Sequence, residues 1–173
     1  MSRKYFFIGF MGSGKTTISR KLAAVSKLKW IDTDQEIEKE QGREIKQIFA
    51  EDGEDAFRDT ETEYLRKIKD LEEDLIISCG GGIILREENI ALMQEAGEVI
   101  YLKASPYTIF KRVRNSDKRP ILNGHMNVEY ISELMGKRLP YYEKAQTYTV
   151  SVNKKRVQDI TEEILRHFEL CLE

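Results

Sequence analysis

An apolar run, Tyr5-Phe6-Phe7-Ile8, leads straight into Gly9-Phe10-Met11-Gly12-Ser13-Gly14-Lys15-Thr16. The octapeptide fits the pattern G-x-x-x-x-G-K-[ST], which demands a buried strand before it and a helix after it. Both flanks comply, because Ile18, Leu22 and Val25 recur at helical spacing beyond Lys15. The glycines let the backbone curl until successive N–H groups converge on an anion. The helix that opens near Lys15 adds its unsatisfied N–H groups and the positive end of its dipole. Lys15 is placed to reach the β- and γ-phosphates of a nucleoside triphosphate, and the Thr16 hydroxyl to ligate Mg2+. The competing explanation, a plain glycine-rich turn, does not account for the flanks.

Further along, apolar runs and helical patterns alternate. Lys29 to Asp32 reads as a second short strand. Helical patterns follow at Gln35–Glu40 (stopped by Gly42), Ile45–Ala50 (stopped near Gly53) and Glu54–Leu71. A third strand, Leu75–Cys79, breaks at Gly80-Gly81-Gly82. A helix from Glu87 to Ala96 closes at Gly97, and Val99–Leu102 is a fourth strand. Ser105-Pro106 reads as an N-cap with proline at the first helical position, opening a helix to about Arg114. The polar segment 115–126 reads as a mobile loop. A helix from Val128 to Leu139 is interrupted at Pro140, Tyr148–Val152 is a fifth strand, and Val157–Leu170 a closing helix. Strands alternating with helices predict an α/β sandwich on a mainly parallel sheet. In such folds ligands gather beyond the carboxyl ends of the strands. The P-loop, the Asp32/Asp34 pair and the triple glycine all fall there.

At 173 residues, without repeats or low-complexity linkers, the chain reads as a single domain spanning 1–173. The net charge of −2 and the absence of a basic stripe with interleaved aromatics argue against nucleic acid as a partner. The two cysteines, Cys79 and Cys171, have neither disulfide density nor metal-ligand spacing. No apolar run reaches membrane-spanning length, and the start lacks a signal-peptide core, so a cytoplasmic location is expected.

Beyond the P-loop, the residue types suggest an acceptor site. Asp32 and Asp34 sit at a strand end, two positions apart. They share a side if the strand persists. One can hold a Mg2+-bound water near Thr16 and the other can accept a hydrogen bond from an alcohol; alternatively one is a helix N-cap. Arg58 and Glu61 are three apart on a helix. They form either an exposed ion pair of little consequence or an arginine oriented by Glu61 toward a substrate carboxylate. Gly80–Gly82 is either a tight turn or a place where a ligand approaches backbone with N–H groups free to donate. Arg119 can offset charge over the phosphates, or be simply solvated. Arg138, near a helix end, is also favoured there by the dipole. Neither His125 nor His167 carries a partner signal.

As an ordered set these residues resemble the shikimate kinases over nearly the full length. The match comprises GFMGSGKT at 9–16, DTD at 32–34, FRDTE at 57–61, GGG at 80–82, RPIL at 119–122 and R-x-P-Y-Y-E from Arg138 to Glu143. The resemblance implies a three-layer α/β/α sandwich with a five-stranded parallel sheet, of the nucleoside monophosphate kinase type among P-loop NTPases. It also implies a substrate-binding helical region at about 33–61 and a lid at about 115–126. The implied reaction is ATP-dependent, Mg2+-dependent phosphorylation of the 3-hydroxyl of shikimate, a step toward chorismate and the aromatic amino acids. With no sustained heptad or extended apolar patch, a monomer is expected. Under the resemblance Gly12, Ser13, Gly14, Lys15, Thr16 and Thr17 hold the phosphates, and Thr16 and, through water, Asp32 hold Mg2+. Asp34 is the candidate base. Arg58, Arg138 and Gly80, Gly81 and Gly82 bind the acceptor, with Glu61 behind Arg58. Arg119 is the lid arginine that joins Lys15 and Asp34 in catalysis. Arg112 flanks the adenine, with Asn153 and Lys155 near it. Two departures stand out: Ser19 replaces a glycine or alanine, and Lys154 and Lys155 stand where arginine is common nearby. A gluconate kinase, a nucleoside monophosphate kinase and a silent nucleotide-binding relative are the rival expectations.

Overall fold

A computed structural model of the protein describes residues 2–114 and 127–170. Its central strand, β1 (Lys4–Ile8), is buried at every position, as a parallel strand covered on both faces must be. Alternation sends Tyr5 and Phe7 to one side and Phe6 and Ile8 to the other. The remaining elements are α1 (Lys15–Ser26), β2 (Lys29–Asp32), α2 (Thr33–Gln41), α3 (Ile45–Asp52) and α4 (Glu54–Asp70), then β3 (Leu75–Ser78), α5 (Glu87–Ala96) and β4 (Gly97–Lys103). They end with α6 (Pro106–Val113), α7 (Val128–Ala145), β5 (Tyr148–Ser151) and α8 (Val157–His167). All strand pairs are parallel, in the order β2-β3-β1-β4-β5.

Each face of the sheet has its own core. Ile18 and Leu22 of α1, Ile109 of α6 and Ile160 and Ile164 of α8 pack on Tyr5, Phe7, Ile100 and Val150. Leu65 and Ile68 of α4, Ile90 and Met93 of α5 and Ala145 of α7 pack on Phe6, Ile8, Ile77 and Val99. The three layers are those expected. A third, small nucleus of Ile37, Ile48 and Phe57 holds α2, α3 and α4 together beside the sheet. It lies within the 33–61 segment.

Register does the placing. Asp32 pairs with Ser78, and Ser78 with Phe7, so three strands finish side by side. The P-loop, the Asp32–Asp34 segment and the triple glycine leave from that one edge.

Several local expectations change. The helix from Val128 does not stop at Pro140 but runs to Ala145. Proline removes one N–H and crowds the carbonyl four residues back. That residue is Gly136, whose missing side chain leaves the backbone room to give. Burial of Ile131 before the proline, and of Tyr142 and Ala145 after it, holds the two halves in one helix. On α1 the buried set is Ile18, Ser19, Leu22 and Ala23, with Val25 only half-buried. A 3-10 turn, Ile83–Leu85, which carries no periodic signal, follows the triple glycine. The third strand ends at Ser78, one residue early. The segment 115–126, with Arg119 and His125, and Cys171 lie outside the described residues. None of the described helices is long and apolar enough to cross a membrane.

Candidate active site

One cavity of about 690 Å3 opens over the carboxyl ends of β1, β2 and β3. Its phosphate end is built from the P-loop. Gly12 (φ 78) and Gly14 (φ 99) hold left-handed backbone that a side chain would strain. A Cβ on Gly12 would also strike Val113 at 2.7 Å. Helix α1 starts without a side-chain cap and without an acidic residue in its first turn. Its N–H groups and dipole therefore remain available to an anion. Lys15 Nζ donates to the carbonyls of Gly9 (2.6 Å) and Phe10 (3.3 Å), folded over the loop. From α6, Arg112 Nη1 donates to the Gly12 and Ser13 carbonyls at 3.1 and 3.0 Å. Lys15, Thr16, Thr17 and Arg112 all line the cavity. Ser13 does not: it is fully buried beneath Gly9, its hydroxyl oxygen unpaired and 2.7 Å from where a Gly9 Cβ would sit.

Asp32 and Asp34 both face the cavity, though not by strand alternation. The strand ends at Asp32, whose carboxylate caps α2 by accepting from Gln35 N at 3.0 Å. The cap is thus Asp32, and Asp34 is carried inward by the first helical turn. Burial pushes the Asp34 carboxyl up to about 6, with the Asp32 charge adding to the shift and Lys15 and Arg58 opposing it.

The triple glycine explains the acceptor end. None of Gly80, Gly81 and Gly82 has positive φ, so no unusual backbone requires them. Side chains do. A Cβ on Gly80 would lie 2.6 Å from Asp34 Oδ1, one on Gly81 3.3 Å from Arg138 Nη1, and one on Gly82 2.6 Å from the Arg58 guanidinium carbon. Three consecutive missing side chains admit one carboxylate and two guanidinium groups. The Gly80 N–H is not free, since it donates to Thr33 Oγ1 at 3.0 Å. Arg138 Nη1 donates to the Gly81 carbonyl at 3.2 Å.

Arg58 and Glu61 form no surface pair. The Glu61 side chain is wholly buried and accepts from Arg58 Nη1 at 2.6 Å. Its second oxygen, Oε2, has no partner, and neither has Arg58 Nε. That half-satisfied burial pushes the Glu61 carboxyl up to about 7, despite the opposing pull of Arg58. Phe49 and Phe57 wall the same end, with the Arg58 guanidinium 5.9 and 5.3 Å from their ring centres. No sequence motif assigns a role to these rings or to Thr33. The i, i+3 and i+4 pattern on α3 and α4 explains their burial but not that their edges face a cavity.

Asn153 and Lys155 are not among the residues that line this cavity. Asn153 Oδ1 accepts from Ser105 N (2.8 Å) and Thr108 Oγ1 (2.9 Å), tying the loop after β5 to the start of α6. Lys155 pairs with Glu163 at 2.8 Å. Cys79 lies at the cavity floor, buried, with its thiol pushed up by that burial.

The donor set of the cavity suits magnesium with protein groups supplying only part of its shell. Among the described residues no group of three or more His, Cys, Asp or Glu can hold a metal. Near the P-loop the cavity lining offers the Thr16 and Thr17 hydroxyls and the Asp32 and Asp34 carboxylates. So spare a set suits Mg2+, which keeps waters and draws on phosphate oxygens, and does not suit an all-protein metal cage. The Asp32 charge that raises Asp34 is relieved by a cation beside it.

A family model described as shikimate kinase matches residues 11–169. A shikimate kinase of Dictyoglomus turgidum is 40% identical over 162 residues, covering 92% of this chain and 93% of that one. One of Bacillus cytotoxicus is 42% identical over 164 residues, covering 95% and 97%. Among solved structures, shikimate kinase from Acinetobacter baumannii in complex with shikimate is 30% identical. It superposes with a TM-score of 0.88 over 98% of this chain and 94% of that one. The chain belongs to the shikimate kinase family.

Proposed function

We infer that this cleft transfers the γ-phosphoryl group of ATP to the 3-hydroxyl of shikimate, releasing ADP and shikimate 3-phosphate. The observation that carries the residue assignment is the packing of Asp34, Arg138 and Arg58 against three successive glycines, in the cavity that holds the P-loop. Two adjacent guanidinium groups suit one carboxylate, gripped through paired N–H bonds. The buried Asp34 beside them suits a hydroxyl. An acid carrying a ring hydroxyl fits both demands, whereas the base of a nucleoside monophosphate offers no carboxylate to the arginines.

Each group then has a task. Arg58 and Arg138 fix the acceptor by its carboxylate, and Glu61 holds Arg58 in place. Asp34 accepts a hydrogen bond from the reacting hydroxyl and takes its proton as the oxygen–phosphorus bond forms. The bond from phosphorus to the bridging oxygen breaks on the opposite side, and ADP leaves with that electron pair. The α1 N-terminus, Lys15 and the backbone from Gly12 to Thr17 hold the phosphates and cover the charge on the transferring group. Arg112 braces the loop through its carbonyls. Thr16 and, through water, Asp32 would hold Mg2+, which would supply neutralisation of the charge on the β- and γ-phosphates. Binding contributes most of the catalysis by bringing the two oxygens and phosphorus into line. Arg119, outside the described residues, remains our assignment for a further cation on the phosphates. We place the enzyme in the cytoplasm as a monomer, with no nucleic-acid or membrane partner.

The test is ADP release from Mg·ATP by the purified protein, with shikimate, gluconate or AMP as acceptor. Strong stimulation by shikimate alone is expected. Stimulation by gluconate or AMP instead would replace the acceptor assignment while leaving the nucleotide end intact.

A further inference from the structure

The buried Ser19 hydroxyl is placed between two elements that both feed the nucleotide site. It accepts a hydrogen bond from Trp30 Nε1 at 2.8 Å and donates its own to the Thr16 carbonyl at 3.2 Å. Ser19 has no solvent exposure. Trp30, the only tryptophan of the chain, is held from a second direction by Arg20, whose guanidinium carbon lies 4.3 Å from its ring centre. A helix gains nothing from a serine that bonds back to its own backbone; such bonds slightly destabilise it. Trp30 packs partly buried against the core from an edge strand, with its N–H satisfied by the same hydroxyl. What the arrangement achieves is a connection. Thr16 stands in the first turn of α1, and Asp32 stands two residues beyond Trp30 on β2. The chain Trp30–Ser19–Thr16 therefore joins the two elements that carry the hydroxyl and the carboxylate facing the cavity.

We propose that Ser19 and Trp30 are positioning residues for magnesium: their hydrogen bond fixes the Thr16 turn of α1 against β2, setting the span between the Thr16 hydroxyl and Asp32. The inference rests on the nucleotide reading of the site given above. A cation that accepts only near-ideal octahedral geometry is sensitive to that span. The phosphate cradle is not, because the loop carries its own bonds through Lys15, Arg112 and the Ser13 N–H, which donates to the Phe10 carbonyl at 3.0 Å.

The experiment is calorimetric titration of ADP, with excess Mg2+ and with EDTA, into the parent protein, Ser19→Ala, Trp30→Phe and the double variant. Ser19→Ala removes one oxygen and keeps the packing; Trp30→Phe keeps the hydroxyl and removes the N–H. Loss of the Trp30–Ser19 hydrogen bond weakens Mg·ADP binding by about fivefold in Trp30→Phe, and at least as much in Ser19→Ala, which also loses the bond to the Thr16 carbonyl. The double variant is no weaker than Ser19→Ala, since both bonds are already absent there. Metal-free ADP and shikimate bind every variant like the parent. Equal weakening with and without Mg2+ would make the pair ordinary packing and overturn the proposal, as would unchanged Mg·ADP binding. A parent that binds ADP no more tightly with Mg2+ would likewise overturn the proposal, whereas a parent that does not bind ADP at all would remove the nucleotide-site reading on which the proposal stands.

Discussion

Replacing Gly82 by alanine asks whether the triple glycine exists to admit the substrate-gripping side chains. At φ −98 and ψ 3 the backbone there suits any residue, so alanine brings no local strain. It stiffens the unfolded chain instead, worth about 0.4–1 kcal/mol in favour of folding. The cost lies in what the methyl meets: Arg58 Nη1 and its guanidinium carbon, both at 2.6 Å, and Nη2 closer still. Ordinary contact requires the guanidinium to retreat by about 1 Å. Arginine is long enough to do so without moving α4, but its bond to Glu61 runs through that same Nη1. Losing a charge-assisted bond to a buried carboxyl costs about 1.5–3 kcal/mol, partly recovered as Glu61 takes a proton. Net stability therefore falls by no more than about 2 kcal/mol, and the protein stays folded. Catalysis fares worse, because displacing a positioning group by about 1 Å costs about 100-fold. Steady-state kinetics on purified Gly82→Ala, varying each substrate in turn, should show that loss in kcat/KM for shikimate with the KM for ATP little changed. The neighbouring glycines supply internal controls. Gly81→Ala meets only Arg138 Nη1 at 3.3 Å and should be mild. Gly80→Ala meets Asp34 Oδ1 at 2.6 Å, and that short side chain cannot retreat without its helix, so kcat and stability should fall together. Normal shikimate kinetics in Gly82→Ala, or equal losses for both substrates, would refute the reasoning.

Three further outcomes follow, two from the cleft and one from the sheet. Asp34 is raised from 3.8 to about 6 on folding, so the native state holds its proton more tightly than the unfolded chain and stability falls as pH rises through that window. Asp34→Asn should therefore melt higher than the parent in EDTA at neutral pH, by up to about 3 kcal/mol of stability, with the gap closing near pH 4 and turnover largely lost; an unchanged or lowered melting point at pH 7 would contradict the burial cost. In kinetics, kcat/KM for shikimate should climb with pH and level off above about pH 7, the limb belonging to Asp34 and Glu61 as a coupled pair; a flat profile from about pH 5 to pH 8 would exclude ionised Asp34 as the proton acceptor. Gly97 begins β4 with extended backbone, yet a Cβ there would lie 2.9 Å from Lys4 N and closer still to its carbonyl, so Gly97→Ala should lose soluble folded protein on expression; a parent-like melting curve would show that the β1–β4 pairing adjusts freely.

What the sequence revealed, and what it hid, has a physical basis. Features set by local rules were legible: the P-loop, the Ser105 cap with Pro106 behind it, and the helix ends at Gly42, Gly53 and Gly97. Convergence at the strand ends was legible too, because a parallel sheet sends all its carboxyl edges one way. Pro140 misled because packing on both sides of it, with glycine four residues earlier, outweighs its local preference. The Asp32–Asp34 pair left strand alternation and a helix cap both open, and the structure takes the cap, because the helix starts at Thr33 directly after the strand ends. The reason for the triple glycine could not be read locally at all. It depends on Asp34, Arg138 and Arg58, which come from three different helices. Ser19 drew notice as an unusual residue, but its partner, Trp30, lies on a strand that spacing alone does not bring to it.

The central claim concerns orientation within the cleft, and a crystal structure of the protein with shikimate and Mg·ADP tests it most directly. The account predicts the shikimate carboxylate on Arg58 and Arg138 and the 3-hydroxyl within about 2.6–3.2 Å of an Asp34 oxygen, facing the β-phosphate held by the P-loop. A shikimate bound with its carboxylate toward the P-loop, or with its 3-hydroxyl away from Asp34, would contradict it.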